Sequence, residues 1–296
     1  MINYEDLLPY AKVRLCGLNG AKGKEIEPKL NLYIRLTDLC NSNCSFCEYH
    51  WNDTKNFDIQ SMLLIADYLR KTKLLSKVQI TGGEPTCNLD VVKIVKALRE
   101  ILPDTFIGMN SNGSNKELLR EVMPYLDNIA ISRHAIDDAE NCQIFKNNSV
   151  MSTSELKAFA EEVGKDKVHL SCTLMKSHVG TKDKVAAYLA WVEKLGISDI
   201  GFVSLMPCND FAKNEQVYFE DIGIEDIEGV EKIKEWSNKV SDIEVCCCAN
   251  YEYKNHVNLY ARFAKIAGKC VGQLVYDVDK LYAGFRKEEI ERKRGI

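Results

Sequence analysis

The sequence lacks any run approaching the roughly 18 apolar residues of a membrane span. Its start, Met1-Ile2-Asn3-Tyr4-Glu5-Asp6, has neither the basic nor the apolar region of a signal peptide. A cytoplasmic location is the expectation. An excess of basic charge is missing too: 39 Lys and Arg against 43 Asp and Glu leave a net charge of −4, without the electrostatic footprint of a broad nucleic-acid-binding surface. Proline is scarce at 6 and glycine ordinary at 17, which excludes a collagen-like or low-complexity chain, and 46% hydrophobic residues exclude a disordered one. No internal repeat is visible. At about 100–200 residues per domain, the 296 residues make one large domain, or one large and one small.

Cysteine, by contrast, is abundant, with 12 in the chain. Reducing compartments keep thiols free, so metal binding is a better first reading than a disulfide framework. Cys16, Cys87, Cys142 and Cys172 stand alone, as small buried hydrophobes do. Cys40, Cys44 and Cys47 form C-x-x-x-C-x-x-C, and Cys208 follows a predicted strand. Cys246, Cys247 and Cys248 are consecutive, with Cys270 downstream.

Apolar runs of strand length alternate with helical patterns, the signature of βαβ units around a parallel sheet. Strands are predicted near residues 32–37, 77–81, 105–110, 127–132, 167–174 and 199–205, and helices near 58–72, 89–102, 115–125, 153–164 and 181–195. In the second helix Val91, Val92, Ile94, Val95, Leu98 and Ile101 make one apolar face, with Asn88 as N-cap. Six β/α units are too few for a closed eight-stranded barrel, so an α/β fold with a partial, open (β/α)6 barrel is expected. Residues 1–30 form an N-terminal segment, 31–207 the barrel and 208–296 a C-terminal extension packed on it. In that extension Val230, Ile233, Trp236 and Val240 recur at helical spacing, and 273–285 read as a β-hairpin around Asp277-Val278-Asp279-Lys280. The tail 286–296 reads as a solvated helix end.

The cysteine run begins just after the first strand, in Leu36-Thr37-Asp38-Leu39-Cys40-Asn41-Ser42-Asn43-Cys44-Ser45-Phe46-Cys47. Parallel α/β folds carry their active sites in the loops at the C-terminal strand ends. Three thiolates from one short loop can hold three irons of a cubane and leave the fourth open to a chelating molecule. Zinc is the alternative for this loop alone. After the second strand comes Gly82-Gly83-Glu84-Pro85, where two glycines let the backbone approach a ligand and the following groups offer acceptors to an ammonium. A plain glycine-rich turn is the bland alternative.

Together these motifs resemble the radical S-adenosylmethionine (SAM) superfamily, with Phe46 as the aromatic residue before the last cysteine. Asn110-Ser111-Asn112-Gly113 is similar to the family's ribose-contacting turn, and Ser132 to its polar SAM contact after the fourth strand. Leu205-Met206-Pro207 and Leu36-Thr37-Asp38 are similar to the molybdenum cofactor biosynthesis protein A (SPASM/twitch) branch. The resemblance covers about residues 30–207 and implies a 4Fe-4S cluster on Cys40, Cys44 and Cys47 that chelates SAM. It further implies methionine-ammonium binding by the backbone of Gly82, Gly83 and Glu84 ahead of Pro85, and ribose binding by Asn110 or Asn112. Adenine would contact Phe46 and the backbone near Val203 to Leu205. An electron donor such as flavodoxin or ferredoxin is the implied partner.

Strand alternation assigns Val168, Leu170, Cys172 and Leu174 to the helix-facing side and turns His169, Ser171 and Thr173 inward. The same logic turns Tyr33, Arg35, Gln79, Thr81, Ser132 and His134 inward. Arg35, His134 and His169 are thereby the candidate catalytic groups, and they point to a polar or anionic substrate; a supporting, non-contacting role is the alternative for each histidine. His50 is either a support of the cluster loop or exposed. Cys246, Cys248 and Cys270 are candidates for an auxiliary iron–sulfur cluster, although adjacent residues alternate faces in a strand and structural or catalytic thiols are the rival reading. The expected reaction is hydrogen abstraction from a small molecule in cofactor or natural-product biosynthesis, since the 30 residues before the first strand are too short for a winged-helix peptide-recognition domain. A ribosomal peptide, RNA or a glycyl-radical enzyme is a weaker option, and a zinc-stabilised binding module or an electron carrier belongs to another class.

Overall fold

A computed structural model describes residues 4–8, 29–47, 57–218, 221–232, 248–254, 260–264, 273–277, 280–283 and 288–289. After a short helix α1 (Tyr4–Leu7), β1 (Leu30–Arg35), β2 (Leu75–Thr81), β3 (Phe106–Ser111), β4 (Asn128–Ser132), β5 (Val168–Leu174) and β6 (Asp199–Ser204) alternate with helices α2 (Ile59–Lys71), α3 (Val91–Ile101), α4 (Lys116–Val122), α5 (Asp138–Phe145), α6 (Thr153–Val163) and α7 (Lys182–Leu195). All six predicted strands and five predicted helices are present within a few residues. Helix α5 was not anticipated, because its buried residues Asn141, Ile144 and Phe145 include a polar one and make no apolar stripe. No helix among the described residues is long and apolar enough to cross a membrane.

The helices start where side chains satisfy their free amides. Asp58, Asn115, Asp137 and Thr181 cap α2, α4, α5 and α7, and Ser152 with Glu155 forms a reciprocal capping box on α6. Helix α3 departs from expectation. Its cap position is Asp90, without a side-chain bond, and Asn88 instead accepts from the Asp90 amide while donating to the Leu36 carbonyl at the start of the cysteine loop.

Strand faces separate as alternation requires. Val168, Leu170, Cys172 and Leu174 are fully buried against the helix layer, worth roughly 1.5–3 kcal/mol for each large aliphatic side chain. Burial pushes the Cys172 thiol well above its usual range, as befits a structural group.

The segment after α7 and β6 continues through α8 (Asp210–Asn214), β7 (Val230–Lys232), β8 (Cys248–Tyr253), β9 (Tyr260–Ala264), β10 (Gln273–Asp277), β11 (Lys280–Ala283) and β12 (Glu288–Glu289). The expected hairpin is β10–β11. The expected helix begins instead with strand β7 at Val230, paired to β8, while Ile233, Trp236 and Val240 lie outside the described residues. The residues expected as a helix end include β12, the remainder lying outside.

The sheet runs β12-β11-β10-β1-β2-β3-β4-β5-β6-β9-β8-β7. From β10 to β9 every pairing is parallel, so the C-terminal segment does more than pack on the barrel: β10 joins β1 and β9 joins β6. Among the described residues the result is an α/β fold with eight parallel strands in an open order, flanked by antiparallel strands at each end.

Candidate functional site

The cysteine loop leaves the C-terminal end of β1 and is held by four other loops. From the β2 side, the Gly83 and Glu84 amides donate to the Thr37 and Leu39 carbonyls, each at 2.8 Å. This backbone contact explains the glycines. A Cβ on Gly82 would stand 2.7 Å from the Thr37 carbonyl oxygen, and one on Gly83 would collide with the Leu39 carbonyl. The close approach is thus to the cysteine loop itself. Among the described residues, no N–H donates to the Gly82 or Gly83 carbonyl, whereas that of Glu84 accepts from the Cys87 amide.

From the β3 side, Asn112 Nδ2 donates to Asn41 Oδ1 at 2.8 Å and Ser42 Oγ at 3.0 Å, and Asn41 Nδ2 donates to Ser114 Oγ at 2.7 Å. After α5, Asn147 Nδ2 reaches the Asn41 carbonyl and Ser42 Oγ, while the Asn43 amide donates to the Phe145 carbonyl. Beyond β6, Asn209 Nδ2 donates to the Ser45 and Cys47 carbonyls, and the Cys208 thiol to the Phe46 carbonyl. Asn41, Asn147, Cys208 and Asn209 carry no motif, and sequence reasoning missed their part in this clasp.

Glu84 is the hub of the β2–β3 connection. Its buried carboxylate accepts from the Thr86 amide and hydroxyl, the Ser111 hydroxyl and the Asn112 amide at 2.7–3.1 Å. Burial raises its pKa and these donors oppose the rise. Its side chain therefore braces the loops, with Pro85 opening the short helical turn that follows.

The structure separates the two ribose candidates. Asn112 spends its side chain within the clasp, its Oδ1 accepting from the Ser114 amide. Asn110 Oδ1 accepts from Gln79 Nε2 at 2.9 Å from within the half-buried strand face. Phe46 packs against the buried cluster of Ala135, Ile144, Met175 and Leu205, which includes a second adenine candidate, and half-buried Val203 lies near the end of β6, two residues before Leu205. Ser132 ends β4, half-buried and paired in register with Ser171.

The three catalytic candidates fare differently. Arg35 is buried and committed, with Nη2 2.6 Å from Asp38 Oδ1 and Nη1 3.1 Å from Asp277 Oδ2. His134 lies at the cysteine-loop end, edge-on to Phe46 and stacked on Phe145. Its Nδ1 accepts from the Thr173 amide at 3.1 Å. Burial, then the neighbouring His178 and Arg133 charges, hold its pKa down to about 3, so the ring is neutral and carries its proton on Nε2. His169 is the second residue of β5, at the strand's N-terminal end, with Nδ1 2.8 Å from Asp199. It stands at the opposite end of the sheet from the cysteine loop. Among the described residues the three therefore do not converge as the inward-facing pattern implied. Alternation orders faces but says nothing about height along a strand.

Burial pushes the Cys40 thiol up to about 11; burial and then the Cys47 and Cys40 charges push Cys44 up to about 12. Such thiols ionise when iron supplies the compensating charge. No three His, Cys, Asp or Glu side chains among the described residues converge as a single metal ion requires. In a cubane each thiolate binds its own iron, so three cysteines from one loop are a donor set that fits such a cluster. His50, Cys246, Cys247 and Cys270 lie outside the described residues, and Cys248 opens β8.

Residues 34–177, the stretch holding this loop and its braces, match the radical SAM superfamily. That stretch is similar to a radical SAM domain. A probable GTP 3',8-cyclase of Saccharolobus islandicus is 29% identical to it over 189 residues, covering 61% of this chain and 58% of the relative. A second, from Thermoplasma volcanium, is 33% identical over 119 residues, 38% of this chain and 35% of the relative. The chain thus spans less than two thirds of the length of these curated relatives. Among solved structures, Streptococcus suis SuiB shares the fold with a TM-score of 0.52 at 18% identity, over 64% of this chain and 43% of that one.

Proposed function

We propose that this chain is a radical SAM enzyme that holds a 4Fe-4S cluster on Cys40, Cys44 and Cys47 and abstracts hydrogen from a small-molecule substrate in cofactor or natural-product biosynthesis. The observation that carries the reading is the clasp, in which the Gly83 and Glu84 amides hold the arm leading to Cys40 while Asn112, Asn147 and Asn209 hold the stretch from Asn41 to Cys47. When bound, the cluster supplies the electron that cleaves SAM to methionine and a 5'-deoxyadenosyl radical. The residues around it do the positioning. The Gly82 and Gly83 carbonyls accept from the methionine ammonium, Asn110 from its Gln79-fixed position binds the ribose, and Phe46 with the Val203–Leu205 backbone takes the adenine. Ser132 adds a polar contact after β4.

His134, a neutral ring with its proton on Nε2, serves as a hydrogen-bond donor rather than an anion anchor. An electron donor such as flavodoxin or ferredoxin completes the system. The test is anaerobic reconstitution followed by iron and sulfide analysis. About four of each per chain, lost on Cys44→Ala, supports the reading; stoichiometric zinc overturns it. More than about four irons per chain, reduced by Cys248→Ala, would add the auxiliary cluster to the C-terminal segment.

A further inference from the structure

Strand β10 reaches the cysteine loop through one buried guanidinium. Parallel pairing sets Arg35 in register with Asp277, the last residues of β1 and β10. The Arg35 side chain is 5% exposed, and its fork spans two carboxylates: Asp277 on β10 and Asp38 in the arm leading to Cys40. That arm is the segment whose Thr37 and Leu39 carbonyls receive the Gly83 and Glu84 amides. It is therefore gripped from the β2 side by backbone hydrogen bonds and from the β10 side by Arg35. A planar fork can hold two acceptors at fixed directions, which a lysine ammonium on a flexible stem does not reproduce. Tyr276, one residue earlier, anchors β10 separately by donating its hydroxyl proton to the Asp58 carbonyl ahead of α2. The end of β10 is thus fixed, and Asp277 offers Arg35 a stationary partner.

We infer that Asp277, from the far end of the chain, is a positioning residue for SAM. It orients Arg35, which holds Asp38 and with it the arm that sets Cys40 against the Gly82 and Gly83 carbonyls. This rests on the proposed function and extends it: the C-terminal segment contributes to the geometry of the SAM site. It also gives Arg35 a role without substrate contact.

The test compares Asp277→Asn, Asp277→Glu and Arg35→Lys with the wild type. In the cluster-free protein, amide exchange at residues 39, 83 and 84 should quicken about tenfold in Asp277→Asn and Arg35→Lys, and stay near wild type in Asp277→Glu. Exchange in the middle of β1 should not change. In the reconstituted protein, iron content should hold while KM for SAM rises about tenfold and kcat for 5'-deoxyadenosine formation stays within about twofold. Uniformly faster exchange along β1 and β10, or iron lost in step with activity, would assign Asp277 to mere stability and overturn the inference. So would variants indistinguishable from a wild type that holds iron and cleaves SAM. A wild type that does neither refutes the proposed function instead, and the exchange pattern of the cluster-free protein still decides whether Asp277 positions the arm.

Discussion

Acid should weaken this protein through one ring, His134. The ring is buried, accepts from the Thr173 amide and is held neutral, with a pKa near 3 against an ordinary 6.5. Because the folded value lies below the unfolded one, the unfolded chain binds more protons between them, and stability falls as pH drops from about 6.5 toward 3. Each unit is worth about 1.4 kcal/mol. Between pH 7 and 5 the ring should cost roughly 2 kcal/mol, mostly below pH 6.5. His134→Phe fills the stack on Phe145 without a titrating nitrogen. It is expected to be about 1 kcal/mol less stable at neutral pH, where the Thr173 amide loses its acceptor. Its further loss on acidification should be about 2 kcal/mol smaller than the wild type's. Urea unfolding of the two cluster-free proteins at pH 7, 6 and 5 reads the difference directly, since all other titrating groups are shared. Parallel losses in both proteins would refute a buried neutral His134.

Three further expectations follow from the site. Gly83→Ala drives a methyl group into the Leu39 carbonyl; a loss of about 1–3 kcal/mol by urea unfolding, with poor cluster retention, is expected. Glu84→Gln leaves donors facing the new amide NH2 and should cost about 2 kcal/mol or more, checked the same way. His169→Ala, at the far end of β5, should leave SAM cleavage within about twofold of wild type, measured as 5'-deoxyadenosine per chain.

The six leading strands were legible because buried parallel strands read as dense apolar runs, and β5 shows its two faces openly in Val168, Leu170, Cys172 and Leu174 against His169, Ser171 and Thr173. The cysteine loop was legible through spacing and its place after β1. What stayed hidden is non-local. Nothing near Asp277 announces that it meets Arg35, 242 residues away, or that β10 extends the parallel sheet beside β1. Asn88 looked like a helix cap and instead bridges to Leu36, because tertiary contact outweighed a local preference. His169 was placed on the correct face but at the wrong end, and Arg35 on the correct face without its two carboxylates. Neither fact is carried by a strand's own alternation.

The most direct measurement is 5'-deoxyadenosine and methionine formation by anaerobically reconstituted protein given SAM and dithionite. The account predicts both products from the wild type and neither from Cys40→Ala, Cys44→Ala or Cys47→Ala. Wild-type protein holding about four irons and four sulfides per chain that forms no 5'-deoxyadenosine would contradict it.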